Sequence, residues 1–288
     1  MSKSDLLKEL RALTQAGMKD CSDALKEAGD DLQKAVDIIK TKGQNIVSAR
    51  SSAPATEGLV AISTNGNSVC LVEVNCQTDF VARNPSFVEL AQFAADTFIK
   101  NTGDAAHDVT NIDPWIKKKE SLIAQFKENI VMGKWWIEES LSPICKVFSY
   151  IHNGSKLGVL LTLQAPSEQA ANSEAFRSIG MDLAMQIAAM NPVAVSADKI
   201  PVDVLDRQKN IFLTQVKELN KPAVQETKIL EGKMNKWFTE ACLLKQGVVY
   251  SDLLAKRSVE SVIKSEYAVQ LGGELTVVNF IRHQVGAQ

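Results

Sequence analysis

Histidine and cysteine are scarce in this sequence, and no motif brings them together. The chain has three histidines and five cysteines in 288 residues, and no two cysteines form a Cys-x-x-Cys pair. Structural zinc sites need four clustered ligands, so we expect neither a metal site nor a bound cofactor. Scattered cysteines in a chain without a recognisable secretory signal are typical of reduced thiols, so we predict a cytoplasmic protein.

Neither a strong excess of one charge nor a long hydrophobic run is present. Lysine and arginine number 32 against 34 aspartates and glutamates, which gives a formal net charge of −2. Nucleic-acid-binding domains are usually strongly basic, so we expect no nucleic-acid partner. No apolar stretch approaches the roughly 20 residues that cross a bilayer, so we expect no association with membranes.

The motifs of the common nucleotide-binding and hydrolytic enzymes are also missing. The sequence has no GxSxG, no HExxH and no GxxxxGK followed by Ser or Thr. The carboxylates Glu138 and Glu139, which we place on a helix, point in different directions, as on a solvated face. With 45% hydrophobic and 23% charged residues, the composition suits a globular protein. We therefore predict a binding protein that is not an enzyme and does not itself bind nucleotide.

The first 42 residues predict three short helices. Leucines recur at helical spacing, TQAGMKD interrupts the pattern, and a third helix begins at Asp30 or Asp31 and ends at Gly43. Three helices of this size resemble a ubiquitin-associated bundle, which we assign to residues 1–42. Met18 in the first loop either binds a partner or fills the small core of the bundle.

A duplicated α+β core is predicted beyond a linker at residues 43–57. In LVAISTNGNSVCLVEV two alternating runs flank Asn65-Gly66, and in KVFSYIHNGSKLGVLLTL two more flank Asn153-Gly154. Asn-Gly between alternating runs is a strong hairpin signal. A helix with one apolar face follows each hairpin, so each unit can bury one face of a sheet under one helix.

The two copies are matched by superposing Gly66 on Gly154, which aligns Val60 with Phe148 and Leu71 with Val159. Between the copies we expect a polar surface segment, NTGDAAHDVTNID, and a helix in PWIKKKESLIAQFKENIVMG. The stretch ELTVVNFIRHQVGAQ predicts a final strand. The domains that we assign are a core subdomain N at 58–142, a core subdomain C at 143–203 and 242–288, and an inserted antiparallel helical hairpin at 204–241.

The segment CQTDFVARNP places a large aromatic residue beside an acid at the end of a strand. Gln77, Thr78 and Asp79 end the strand, so Phe80 and Val81 fall where a turn exposes side chains to water. The second copy has QAPSEQAANS at this connection, without an acid–aromatic pair. The shared framework therefore does not explain the pair. Either Phe80 folds into the core, or it is displayed to a partner.

Two segments of the chain resemble the signatures of the bacterial translation elongation factor Ts family. EVNCQTDFVARN, Glu73 to Asn84, resembles the core signature, and LRALTQAGMKDCSDAL, Leu10 to Leu25, resembles the N-terminal signature. The order of bundle, linker, duplicated core and inserted hairpin is similar as well. The resemblance implies a guanine-nucleotide exchange factor whose partner is elongation factor Tu.

The resemblance also implies which residues meet the partner. In the family, the aromatic residue of the core motif enters the partner's nucleotide-binding domain and disturbs its magnesium region, so that GDP leaves. The first loop of the bundle contacts the same domain, and the hairpin turn of the second subdomain contacts another. The implied partner-binding residues are Thr78, Asp79, Phe80, Val81, Arg11, Met18, Asp20, His152, Asn153, Gly154, Val249 and Tyr250.

Three segments depart from the family pattern. Ser22 and Asp23 stand where two basic residues are usual, and KENIVMGKWWIEE stands where Gly-Glu-Asn and basic residues are usual. In KQGVVYSD, Val249 and Tyr250 stand in the place of Pro-Phe. The alternative function is that of an interaction module without exchange activity, which binds a helical or ubiquitin-like partner through the bundle.

Overall fold

The computed structural model describes residues 2–14, 16–100, 112–152, 154–220, 222–255 and 257–287 of the chain. Its N-terminal part is the predicted bundle of three helices, α1 (Lys3–Thr14), α2 (Met18–Glu27) and α3 (Leu32–Arg50). The side chain of Asp31 caps α3 by accepting a hydrogen bond from the Lys34 N–H at 3.1 Å. The core of the bundle is small: among its described residues, the buried hydrophobic ones are Leu10, Cys21, Ala24, Leu25 and Ala35.

Helix α3 does not end at Gly43 as predicted, but continues to Arg50. The first part of the predicted linker at 43–57 is therefore helical. The reason is tertiary packing, which often extends a helix beyond its local signals. Gly43 lies against helix α6 (Asp113–Phe126), with room of only 3.2 Å between an added Cβ and the Cβ of Ala124. Ile46 and Val47 pack against the hydrophobic core of the first subdomain.

The first sheet has three antiparallel strands in the order β1-β2-β3. Strands β1 (Glu57–Asn65) and β2 (Ser68–Cys76) form the predicted hairpin, in which Gly66 has a positive φ of 59°. Strand β3 (Val131–Glu139) corrects the prediction of a helix through Gly133. Helix α6 ends at Phe126, because Lys127 adopts a left-handed conformation. Glu138 and Glu139 thus lie on a strand and not on a helix.

The second sheet repeats the first, with strands in the order β4-β5-β6. They are β4 (Cys145–Ile151), β5 (Leu157–Gln164) and β6 (Thr276–Gln284), which confirms the predicted final strand. A short helix and a long helix follow each hairpin: α4 (Asp79–Ala82) and α5 (Pro85–Lys100) in the first unit, α7 (Glu168–Ala171) and α8 (Glu174–Met190) in the second. The duplication therefore includes a third strand and a short helix in addition to the predicted hairpin and long helix.

The predicted matching of the two copies is wrong by one residue. Val60 and Leu71 face the other sheet, whereas Phe148 and Val159 pack on the side of α8. A shift of one residue moves a side chain to the opposite face of a sheet. The cause is the longer turn of the second hairpin, where Ile151 pairs with Gly158, while Asn65 pairs with Ser68 in the first.

The two sheets pack face to face, and this contact completes an arrangement of four layers. Helix α5 covers the outer face of the first sheet and helix α8 covers that of the second. Val60, Leu71 and Leu160 belong to one cluster between the sheets. The sheets approach so closely at Gly158 that an added Cβ would lie 2.5 Å from Cδ1 of Leu71. The α+β fold is confirmed, with the site-bearing strand β2 buried on both faces.

The remaining described elements belong to the C-terminal half. Helices α9 (Val202–Lys217) and α10 (Ala223–Ala241) form the predicted helical hairpin. Helix α11 (Val259–Val262), a π-helical turn (Ile263–Tyr267) and helix α12 (Ala268–Leu271) lead to β6. Within the described part of the chain, no helix is long and apolar enough to cross a membrane. Most of the predicted surface segment NTGDAAHDVTNID lies outside the described residues.

Candidate functional site

The acid–aromatic motif forms the short helix α4 between β2 and α5. Thr78 is the N-cap residue, and its hydroxyl oxygen accepts a hydrogen bond from the Val81 N–H at 3.4 Å. The prediction that Val81 is exposed is wrong, because the helical turn directs it inward, where it is buried with Ala82 in the core of the first subdomain. Phe80 beside it is 83% exposed. The interpretation of Phe80 as a core residue is therefore wrong. The turn buries its smaller apolar side chains and presents the largest one to solvent.

Asp79 forms an ion pair beside Phe80 and does not cap the helix. Its carboxylate lies 3.0 Å from the guanidinium of Arg83, one turn further along. Both side chains are substantially exposed, so the pair contributes little to the stability of the fold. An acid in the first turn is also favoured by the partial positive charge of a helix N-terminus. The acidic group is thus available at the surface next to the exposed aromatic ring.

A turn at Lys127, Glu128 and Asn129, which we name the KEN turn, holds the motif in place. The carboxylate of Glu128 accepts hydrogen bonds from the Gln77 N–H at 3.1 Å, the Thr78 N–H at 3.0 Å and the Thr78 hydroxyl at 2.7 Å. In return, the Asn129 N–H donates to Oε1 of Gln77 at 3.0 Å. The sequence pattern predicts a helix through the KEN turn, which is wrong because α6 ends at Phe126. No local signal links the turn to a motif 50 or more positions earlier.

The KEN turn also contacts the bundle and the segment after it. The ammonium of Lys127 lies 3.3 Å from the carboxylate of Asp20 in α2. The side-chain amide of Asn129 donates to the carbonyls of Ser51 and Ala53 at 3.3 and 2.7 Å. Asp20, predicted to bind a partner, therefore has an ion-pair partner within its own chain. One turn joins the bundle, the end of α3 and the motif.

The end of α1 and the start of α2, which flank the first loop of the bundle, present apolar side chains to solvent. Met18 is 56% exposed and Leu13 is 62% exposed, and Arg11 is exposed nearby in sequence. The interpretation of Met18 as the plug of the small core is therefore wrong, since Leu10 and Leu25 fill that core. Exposed methionine is adaptable and suits a surface that binds another protein.

A pocket in the second subdomain brings two separately predicted segments together. It has a volume of about 400 Å³, and its lining residues are Tyr150, His152, Leu157, Met185, Ala188, Ala189, Val249 and Tyr250. Nδ1 of His152 lies 3.0 Å from the hydroxyl of Tyr150. Gly154 has a φ of 83° in the same hairpin turn, and the predicted site residue Asn153 lies outside the described residues.

The side chains of the loop residues Val249 and Tyr250 differ in exposure, although the backbone N–H of Val249 is itself bonded to Oε1 of Gln186 at 3.0 Å. Val249 is about half exposed. The hydroxyl of Tyr250 accepts a hydrogen bond from Tyr267 at 2.7 Å. Burial raises the pKa of Tyr250, and this hydrogen bond offsets only part of that effect. Tyr250 therefore stays a neutral, anchored wall of the pocket, while the side chain of Val249 is free to contact another molecule.

A buried polar cluster links the two sheets through Glu73 on β2 and His283 on β6. The Glu73 carboxylate lies 2.7 Å from Nε2 of His283 and accepts hydrogen bonds from Asn75 at 2.7 Å and the Gly286 N–H at 2.9 Å. Burial alone would raise the pKa of Glu73, but these hydrogen bonds outweigh it and hold the pKa at about 2. The ring of Trp136 lies 4.5 Å from that of His283. Glu73, the first residue of the core signature, thus connects β2 to β6.

Neither metal binding nor nucleophilic chemistry is supported by the described residues. No group of three or more His, Cys, Asp or Glu side chains among them is placed to hold a metal ion. The five cysteines are free and buried. Burial raises the pKa values of Cys70 and Cys76 to about 12, which makes both thiols poor nucleophiles. The exposed side chains of Phe80, Met18 and Val249 are instead suited to contact with a protein surface.

Comparison with known proteins gives a consistent assignment. The family model described as Elongation factor TS matches residues 77–287. The chain is 34% identical to "Elongation factor Ts" of Nitratidesulfovibrio vulgaris over 286 residues, covering 98% of this chain and 95% of the relative. It is 34% identical to the protein of that name from Clostridium kluyveri, covering 99% and 93%. For Rhizobium rhizogenes the identity is 35%, covering 98% and 91%. The chain belongs to the elongation factor Ts family of translation elongation factors.

Proposed function

We propose that this protein is a guanine-nucleotide exchange factor for elongation factor Tu, acting in the cytoplasm, and that Phe80 enters the partner near its magnesium and nucleotide site. The observation that carries the proposal is the exposure of Phe80, 83%, on a turn that is otherwise tightly held. Burying such a ring in a partner contributes about 1.5–3 kcal/mol. A rigid support also reduces the entropy that is lost on docking.

The other exposed groups support two further contacts. The bundle presents Met18 and Arg11 to solvent, with Asp20 at the base of the same loop. The second subdomain presents the pocket lined by His152, Val249 and Tyr250. We propose that the bundle loop and the pocket, together with the turn at Asn153 and Gly154, hold the partner while Phe80 acts. In this proposal the two contacts strengthen binding to the partner, and the motif at Asp79 and Phe80 weakens the partner's binding of GDP.

The test is the release of fluorescent GDP from elongation factor Tu with and without this protein. We expect faster release, and we expect calorimetry to show much tighter binding to the nucleotide-free partner than to its GDP–magnesium form. Coupling between two ligands is reciprocal, so a factor that weakens GDP binding is itself bound less tightly when GDP is present. Equal affinities for the two forms would exclude exchange, because a protein that binds both forms of the partner equally cannot change the partner's affinity for GDP.

The alternative is an interaction module without exchange activity, and the exposed Leu13 and Met18 on the bundle favour it as a second candidate. Such a module would bind its partner through the bundle and leave GDP release unchanged. The same release experiment separates the two functions. Binding that survives Phe80→Ala but not Met18→Asp, without any effect on GDP release, would support the module.

A further inference from the structure

We infer that Glu128 is a positioning residue, which fixes the turn that presents Phe80 and so determines how effectively that ring acts on the partner. The inference rests on the proposed function. It comes from the contacts of the KEN turn, because the hydrogen bonds of Glu128 go to Gln77 and Thr78 and reach Phe80 through the first turn of α4.

The Glu128 carboxylate accepts hydrogen bonds from two backbone N–H groups just beyond the end of β2. The N–H groups of Gln77 and Thr78 both point to Oε2 of Glu128, at 3.1 and 3.0 Å. Hydrogen bonds to an ionised acceptor are shorter and stronger than bonds between neutral groups. The direction in which the backbone leaves the strand is therefore set by a side chain of another segment.

The other carboxylate oxygen of Glu128 determines that the hydroxyl of the N-cap residue Thr78 is a donor on one side and an acceptor on the other. A carboxylate only accepts, so the Thr78 hydroxyl must donate its hydrogen to Oε1 of Glu128, at 2.7 Å. The lone pairs of that hydroxyl are then available to accept from the Val81 N–H, at 3.4 Å. Glu128, Thr78 and Val81 thus form one chain of hydrogen bonds, and Phe80 stands within the turn that it fixes.

The second copy of the unit supports this assignment, since it has the short helix without the clamp. Ser167 caps α7 by accepting from the Ala170 N–H at 3.2 Å, as Thr78 caps α4. In the part of the chain that the structure describes, no carboxylate bonds to Ser167. Gln169 there follows an acid as Phe80 follows Asp79. A short helix of this kind therefore forms without a carboxylate clamp, and the clamp accompanies the copy that displays the aromatic ring.

The support of Glu128 is itself fixed from both sides. The side-chain amide of Asn129 donates hydrogen bonds to the carbonyls of Ser51 and Ala53, and its backbone N–H donates to the side chain of Gln77. Lys127 adopts a φ of 57° and pairs with Asp20 in the bundle. Glu128 therefore enters the motif from a turn with little freedom, which is what positioning a side chain requires.

The first measurement is made on the free protein by amide hydrogen exchange. Glu128→Ala removes the three hydrogen bonds, and we expect the N–H groups of Gln77, Thr78 and Val81 to exchange at least tenfold faster. The matched control is Glu138→Ala, which removes a carboxylate that accepts from Thr162 and Asn279 between the sheets. In this control the same three groups should keep their protection. Unchanged protection in Glu128→Ala would overturn the inference.

The second measurement is GDP release from elongation factor Tu at saturating concentrations of each variant, scaled to the folded fraction. We expect Glu128→Ala to slow release at least fivefold relative to the unsubstituted protein, and Glu138→Ala less than twofold. Glu128→Gln keeps an amide oxygen for the two N–H groups and an NH₂ group opposite the Thr78 oxygen, so it should retain at least a third of the activity. In a Phe80→Ala background, Glu128→Ala should cost less than a further twofold.

Two outcomes would show that Glu128 does not act through Phe80. They are normal release by Glu128→Ala despite lost amide protection, and full additivity of the Glu128 and Phe80 substitutions. If the unsubstituted protein fails to accelerate release, the proposed function is wrong. The amide measurement then still decides whether Glu128 clamps the turn, because it requires no partner.

Discussion

Phe80 and Val81 are neighbours in sequence and lie in opposite environments. Successive side chains of a helical turn point about 100° apart, so a turn anchored at Thr78 sends Val81 into the core and Phe80 into water. The free protein therefore exposes an aromatic ring that contributes nothing to its own core. This separation of roles allows stability and activity to be tested independently at one position.

Phe80→Ala should slow GDP release from elongation factor Tu at least tenfold, which corresponds to a loss of about 1.4 kcal/mol of coupling. Its effect on the unfolding of the free protein should stay within about 0.5 kcal/mol, as for other surface substitutions. Release assays and urea melts of the same preparations measure the two effects. A variant that melts early and exchanges normally per folded molecule would contradict the proposed role of the ring.

Asp79→Asn tests whether the acid acts by its charge. Thr78 caps the helix, so the substitution leaves the cap intact and removes only the surface pair with Arg83. We expect slower GDP release with a defect that depends on magnesium concentration, and a melting temperature close to that of the unsubstituted protein. Arg83→Gln is the matched control, because it removes the same ion pair and keeps the acid. Equal defects in the two variants would assign the effect to the ion pair.

At the scale of elements, local patterns predicted those helices and strands whose signals lie within a few residues. The two hairpins, the long helices α5 and α8, and strand β6 have regular apolar periods and clear turns, and the structure contains them. Strand β3 is not predictable from local sequence, because VMGKWWIEE alternates poorly and pairs with β2, which lies more than 50 residues earlier. The end of α3 is not predictable from its local signals, because its last turns depend on packing against α6.

The candidate site was predictable only in part, for the same physical reason. The position of Phe80 after a strand end leaves both a buried and an exposed ring open, and the same pattern wrongly places Val81 in water; the family resemblance is what favours an exposed Phe80. The role of Glu128 depends on the meeting of two segments in space, and no period or composition reports such a meeting. The pocket that joins His152 to Val249 is likewise a product of tertiary structure. Its lining comes from the β4–β5 hairpin, from helix α8 and from a late loop.

The close contact of the two sheets gives a test at Gly158 in β5. Gly158→Ala should destabilise the protein by about 1–3 kcal/mol, because an added Cβ meets Cδ1 of Leu71 at 2.5 Å between two packed layers. Gly232→Ala in α10 is the control, since nothing lies within 4 Å of its added Cβ. There the better helix propensity of alanine should stabilise by up to about 1 kcal/mol. Urea unfolding measures both, and an unchanged Gly158→Ala midpoint would contradict the tight contact.

At the scale of the whole molecule, the bundle and the core are joined by more than a flexible linker. Helix α3 runs from one to the other, and the KEN turn contacts both. We nevertheless propose that residues 1–42 form a separate module. Deleting them should leave Ile46 and Val47 packed on the core, with a cooperative melt and weaker exchange at limiting concentration. Loss of the cooperative melt in calorimetry would place the boundary elsewhere.

The buried Glu73–His283 pair makes the junction of the two sheets sensitive to acid. The pKa of Glu73 is lowered from 4.5 to about 2, so its carboxylate stabilises the fold fully above about pH 4.5. That stabilisation is lost as the pH falls toward 2. Thermal melts between pH 7 and pH 2.5 should therefore show a steeper loss of stability below about pH 4.5 for the unsubstituted protein than for Glu73→Gln.

Glu260→Gln is the control for general acid sensitivity, because its carboxylate lies at the surface beside Lys264. This variant should follow the unsubstituted protein across the whole range of pH. Parallel curves for Glu73→Gln and the unsubstituted protein would show that the buried carboxylate carries no such linkage.

The pairing of β5 with β6 fixes an order of events during synthesis of the chain. Leu157 pairs with Gln284, and the helical hairpin lies between them in sequence. The first sheet is complete once residue 139 has left the ribosome, whereas the second must wait for β6. Until then, Glu73 lacks His283, and Leu71 faces a sheet with one edge open. In the nascent chain the first sheet can therefore be complete while the second still lacks β6. The two sheets reach their final packing only after β6 has been synthesised.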